Sequence, residues 1–162
     1  TIPAKLRSVT DCLVAAENLV ANATADAEEI CAPLDEQEMA ALKESLGVGG
    51  KGTRKPRNAQ AAVRELEDEH KTRRKRIVRD SLDRVLTEFT ALYRDVLAVQ
   101  TSAGAPLINA DIADIVEKLA RRSSADRTVR VLDHILATRT RLEGNVAPQL
   151  AFEALLVSIL RS

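Results

Sequence analysis

Apolar residues recur at steps of three and four along most of this chain, a helical period, and the pattern predicts helices and no strand. After Ser8, the positions Val9, Leu13, Ala16, Leu19, Val20 and Ala23 form one apolar face. Ser8-Val-Thr-Asp11 has the spacing of a capping box with Asp in place of Glu, which starts the first helix at about Ser8. Pro33 is expected to kink or break this helix, with Ala32 pushed away from helical geometry. A continuation carries Leu34, Met39, Leu42 and Leu46, and Gly47 has the character of a C′ residue that ends it.

A second long helix is predicted from about Asn58 to Gln100. Its later half steps through Val78, Leu82, Val85, Leu86, Phe89, Leu92, Tyr93, Val96 and Leu97, as packing into a bundle requires. The earlier half differs, because between Leu66 and Ile77 the residues EDEHKTRRKR offer no apolar face. Burial cannot hold such a segment, so it is expected to stand in solvent and project from the bundle, supported by Glu67–Lys71 and Glu69–Arg73 pairs of ~0.2–0.5 kcal/mol each. A loop follows from Thr101 to Leu107. Asn109 is placed to cap a short helix with Ile112, Ile115, Val116 and Leu119 that ends near Arg122. Ser123 or Ser124 caps the next, carrying Val129, Val131, Leu132, Ile135, Leu136 and Leu142, and Gly144-Asn145 suits its end.

The final segment, NVAPQLAFEALLVSIL, has Asn145 ahead of a helix and Pro148 in its first turn, where the missing N–H costs nothing. Leu150, Ala151, Phe152, Ala154, Leu155, Leu156, Val157, Ile159 and Leu160 then surround the helix instead of forming a stripe. A helix apolar on most sides must be covered on most sides, by its own bundle or by another subunit. That points to assembly. Leu150, Phe152, Leu155, Leu156 and Ile159 are the candidate subunit-interface residues, with Asn145 shaping the turn before them.

Composition agrees with an all-α helical bundle from which a long charged helix projects: aromatics are 2% of 162 residues, with 6 Gly and 5 Pro. Three regions are expected: 1–46, a long helix kinked near Pro33; 47–57, a flexible glycine-rich basic linker; and 58–162, a bundle including the helix 58–100. The linker GVGGKGTRKPR resembles a phosphate-binding loop only superficially. Gly50-Lys51 is followed by Gly52, Ser45 stands where the first glycine belongs, and a helix precedes it instead of a strand.

Net charge is zero, so overall charge implies no nucleic-acid partner, but its distribution is uneven. From Lys51 to Arg79 eleven basic residues face four acids, a balance of +7, while Thr24 to Leu46 holds seven acids and one Lys, a balance of −6. Lys71, Arg73, Arg74, Lys75 and Arg76 are therefore candidate contacts for DNA or an acidic partner, the second functional reading being a nucleic-acid-binding module that uses the basic arm 71–79. The plainer reading, a solvated helix facing the chain's own acidic segment, is favoured because no aromatic interleaves to stack a base.

Cys12 and Cys31 lie on one predicted helix, roughly 28 Å apart at ~1.5 Å per residue, too far for a disulfide. Reduced thiols suit a cytoplasmic protein, as does the lack of a signal peptide or membrane-length apolar run. The chain opens on Thr instead of Met, as a piece of a longer protein would. His70 and His134 have no metal-binding arrangement in sequence, Tyr93 reads as core with its hydroxyl reaching a bundle partner, and no nucleophile has a plausible base. The expectation is a non-catalytic protein with no cofactor, no metal and no small-molecule substrate.

The terminal pattern EGNVAPQLAFEALLVSIL resembles the collar domain of bacterial clamp-loader subunits, of the kind found in the delta-prime subunit of DNA polymerase III in its actinobacterial form. LRSVTDCLVAAENLV, LKESLGVGGKG, RELEDEHKTRRKRIVRDSLDRVL and FTALYRDVL extend the likeness over essentially the whole chain. The resemblance implies an oligomerisation module. In that family an AAA+-type ATPase module and lid precede a helical collar, and five collars form a ring that holds the loader together while it places a sliding clamp on primed DNA. It implies other loader subunits as partners, no membrane, and DNA only indirectly. This chain carries no nucleotide-binding fold, zinc-binding cysteines or arginine-finger motif, so those family functions attach to none of its residues.

Overall fold

The computed structural model describes residues 1–47, 59–144 and 146–162. Among these it is all-α, as expected. A short 3-10 turn (Pro3–Lys5) precedes α1 (Val9–Ser45) and α2 (Ala59–Gln100); a second such turn (Ala110–Ile112) leads into α3 (Ala113–Arg122), followed by α4 (Ala125–Glu143) and α5 (Pro148–Arg161). The proposed linker, apart from Gly47, and the candidate Asn145 lie outside the described residues.

The caps show which local rules held. Ser8 and Asp11 form the expected reciprocal box, with Asp11 N–H donating to Ser8 Oγ at 3.1 Å and Ser8 N–H to Asp11 Oδ2 at 2.9 Å. Arg7 N–H joins the same carboxylate, and these bonds, Arg7's first, lower the Asp11 pKa. Gly47 adopts φ +65°, the left-handed turn for which glycine has no Cβ penalty. Asn109 does not cap α3 through its side chain, because its amide is engaged elsewhere. Gly144 ends α4 at φ −81°, outside the left-handed region, with its N–H donating to the Thr140 carbonyl.

α1 passes through Pro33 as one element, so of the two expected outcomes, a kink or a break, the break does not occur. Proline removes one N–H, and the carbonyl left without it belongs to Glu29. Glu29 and Pro33 both lie on the exposed side of α1, where water can satisfy that carbonyl. The long helix survives because the defect faces solvent.

The described residues form two compact units, and α1 and α2 contribute to both. One comprises Thr1–Val20 with Ser81–Ser162, and the other Ala21–Asp80. In the first, α5 packs on α4 and on the N-terminal 3-10 turn. Its core contains Leu82, Leu86, Phe89 and Val96 of α2, Val116 of α3, Val131 and Ile135 of α4, and Phe152, Leu155 and Leu156 of α5. The expected face of α1 holds in part: Ala16 and Ala23 are buried, but Val9 and Leu13 are exposed and Cys12 is buried in their place. Both cysteines are free, and burial raises the Cys12 thiol pKa.

A buried carboxylate organises the α2–α3 connection. Asp95 accepts the Ile108 N–H at 3.0 Å, the Asn109 N–H at 2.7 Å and the Asn109 amide at 2.8 Å, while Arg94 donates at 2.8 Å. Arg94 also reaches the Pro106 carbonyl at 2.6 Å. Gln100 then donates to the Ala120 and Ser123 carbonyls, supplying partners at the end of α3 where intrahelical donors run out.

In the second unit, α1 and α2 run antiparallel as a helical hairpin. Ala23, Ala27, Cys31 and Asp35 make the buried line of α1, each four residues from the last. On the α2 segment of this unit, Val63, Leu66 and Ile77 are partly covered.

Candidate assembly surface and charged seam

The apolar candidates divide sharply by position on α5. Phe152 and Leu156 are 0% exposed, Leu155 1% and Ile159 8%, so four of the interface candidates are covered by this chain itself. Leu150, in contrast, is 60% exposed. The terminal helix is apolar on most sides because α4 and the N-terminal turn already cover much of it. Exposed apolar side chains on and beside α4 and α5 are Leu150 on α5, Leu136 and Val129 on α4, Ile108 in the connection, and Val146 before α5, while Val9, Leu13 and Val14 of α1 and Val99 of α2 are exposed as well. Leu136, at 63% exposure, and Val129 depart from the expected apolar set of α4, of which Val131, Ile135 and Leu142 are buried.

The five basic candidates are also divided. Arg73 donates through Nη1 to Asp35 at 3.1 Å and through Nη2 to Glu38 at 2.8 Å. Arg74 donates to Asp35 Oδ2 at 2.5 Å, and its Nε stands 3.1 Å from Glu28 without a hydrogen bond. Lys71 pairs with Asp68 at 3.0 Å in place of Glu67, and Arg76 approaches Asp80 at 3.9 Å, both in solvent-exposed pairs worth little. Lys75 has no ion-pair partner among the described residues. The charged segment thus does not stand alone in solvent. Oppositely charged α1 supplies the partner that apolar packing could not.

His70 is the part of this seam that sequence reasoning overlooked. It is 5% exposed, with Nε2 2.9 Å from Glu38 Oε2 and Nδ1 3.7 Å from Asp35 Oδ1. Asp35, Glu38 and His70 offer ligand-type atoms all within 4.8 Å of one another, a set that could hold a metal ion. The same carboxylates carry the Arg73 and Arg74 guanidinium groups, which already provide the compensating positive charge. The Arg73 hydrogen bond leads the causes that lower the Glu38 pKa. Such a network fixes the register of the hairpin, because sliding either helix by one turn would separate several charges at once. Asp35→Ala is accordingly expected to destabilise the protein by about 1–2 kcal/mol, read by urea unfolding at neutral pH. Loss of less than about 0.5 kcal/mol would mean the seam is incidental.

No helix of the described residues is long and apolar enough to cross a membrane. Comparison with curated proteins and with solved structures finds no match. A protein-family comparison does: the family described as DNA polymerase III, delta subunit, C terminal, matches residues 77–160, just over half of the 162. The matched segment takes in the later part of α2 together with α3, α4 and nearly all of α5, and so includes Leu136 and Leu150. By that match the chain belongs to the family formed by the C-terminal domain of the DNA polymerase III delta subunit.

Proposed function

We propose that this chain is a non-catalytic collar module of a replicative clamp-loader subunit, joining sister subunits through the outer faces of α4 and α5. The observation that carries the reading is the exposure of Leu136 and Leu150, 63% and 60%, within the family-matched segment. Single exposed aliphatics are common on proteins, but two so fully open on adjoining packed helices suit an interface that becomes buried on assembly. The finer assignment, a delta-prime subunit of actinobacterial type acting in the cytoplasm, is supported by the sequence resemblance over the whole chain.

The test is association with the other loader subunits by light scattering, using Leu136→Asp and Leu150→Asp. Each is expected to weaken binding roughly tenfold or more, since truncating or charging an interfacial anchor removes about 1–3 kcal/mol, while helicity stays unchanged. Undiminished association of the double variant would overturn the reading. DNA binding through the arm is less well supported, because Arg73 and Arg74 are engaged by Asp35 and Glu38. Lys71, Lys75 and Arg76 remain for it, which predicts weak retention on DNA that disappears with moderate salt.

A further inference from the structure

The helical hairpin of Ala21–Asp80 buries one line of α1 and leaves aliphatic side chains on its exposed side. Ile30 is 61% exposed and Leu34 43%, one turn apart, with the exposed Pro33 beside them. Carboxylates frame this strip: Asp26 and Glu29 toward one end and Glu36 toward the other, all exposed. The carboxylates nearer α2 are compensated, because Glu28, Asp35 and Glu38 each meet an arginine. Asp26, Glu29 and Glu36, by contrast, are in no ion pair among the described residues. The Glu29 carbonyl, deprived of its intrahelical N–H by Pro33, lies on the same exposed side and can accept a hydrogen bond from outside.

We propose that this side of α1 docks a basic amphipathic helix of another polypeptide, whose aliphatic side chains cover Ile30 and Leu34 while its Lys or Arg side chains meet Asp26, Glu29 and Glu36. Spacing argues for a helix. Ile30, Leu34, Gln37 and Ala41 are all exposed and recur at steps of four, three and four, the pattern by which one helix lies along another. The small Ala41 leaves room for a neighbouring backbone, and Asp26 to Ala41 spans about 22 Å, or four turns. Charge complementarity argues for a basic one. Three uncompensated carboxylates attract a cationic partner and repel an acidic one. A Lys or Arg also supplies the donor that the Glu29 carbonyl lacks. A second copy of this chain fits less well: its exposed Lys71, Lys75 and Arg79 on α2 have no exposed large aliphatic among them to cover Ile30 and Leu34. The strip lies outside the family-matched residues 77–160 and shares no residue with the α4–α5 surface, so it is a second interaction, independent of the collar reading.

The probe is a fluorescein-labelled peptide of about four helical turns, built from Leu and Lys in amphipathic order. A scrambled peptide of the same composition and a Leu–Glu version serve as controls. Fluorescence anisotropy with the 162-residue chain at low salt is expected to show saturable binding of the Leu–Lys helix and roughly tenfold or weaker binding of both controls. Ile30→Ser combined with Leu34→Ser should weaken binding about tenfold, with helicity by circular dichroism unchanged because both side chains are exposed. Asp26→Asn, Glu29→Gln and Glu36→Gln together should weaken it at low salt and flatten its salt dependence. Leu136→Asp with Leu150→Asp should leave it unaltered, which separates this strip from the α4–α5 surface. No saturable binding, equal binding of the scrambled peptide, or undiminished binding by the Ile30 and Leu34 variant would each overturn the proposal. Self-association of the chain that this variant abolishes would overturn it too, because the occupant would then be a second copy.

Discussion

Phe152→Ala is expected to lower the stability of this protein by about 3–5 kcal/mol, the range for removing a buried aromatic ring and leaving a cavity. Phe152 is 0% exposed and sits among other covered residues of α5, including Leu155 and Leu156. The measurement is urea unfolding followed by far-UV circular dichroism, with Leu150→Ala as the internal control. Leu150 is 60% exposed, so its truncation should cost less than about 0.5 kcal/mol in the isolated chain. If Phe152→Ala cost no more than Leu150→Ala, the packing of α5 described above would be wrong. The contrast matters for function, because a Phe152 variant that fails to assemble would report lost folding, whereas Leu150→Asp reports the surface.

The second large effect should come from Asp95. Asp95→Ala removes one carboxylate but strands the Ile108 and Asn109 N–H groups and the Arg94 guanidinium, at an expected cost of about 3 kcal/mol. Burial alone would raise the Asp95 pKa, but bonds from the Ile108 and Asn109 N–H groups, Arg94 and the Asn109 amide outweigh it and hold the value at about 2. The folded value lies below the ordinary 3.8, so the carboxylate contributes its full stabilisation above pH 3.8. That contribution declines as pH falls toward about 2, because the unfolded chain takes up the proton first. Asp95→Asn should therefore flatten part of the acid limb of the stability curve between those values. An unaltered slope across that window, measured by denaturant titration, would show that Asp95 does not carry this dependence.

Local rules carried the element map a long way. The Ser8–Asp11 box, the Gly47 stop and Pro148 at the head of α5 depend on residues within four positions of one another, so spacing alone reveals them. The same locality explains what spacing left open or missed. Pro33 forbids one hydrogen bond and so left a kink or a break open, because whether a helix ends there depends on whether solvent can serve the abandoned carbonyl. Asn109 has a capping side chain, but Asp95, fourteen positions earlier, takes it.

The candidate sites were legible as sets of residues and not as surfaces. Sequence alone established an all-helical chain, a strongly apolar last helix, and acidic and basic stretches of opposite sign, because composition and period are properties of single segments. Only the tertiary structure decided that Phe152, Leu155, Leu156 and Ile159 face inward while Leu136 and Leu150 face outward. It also decided that Arg73, Arg74 and His70 meet Asp35 and Glu38, and that Ile30 and Leu34 stay exposed. The physical reason is common to all of these: burial and ion pairing depend on which faces of different helices meet, and a helical period gives a residue's direction on its own helix without saying what lies opposite.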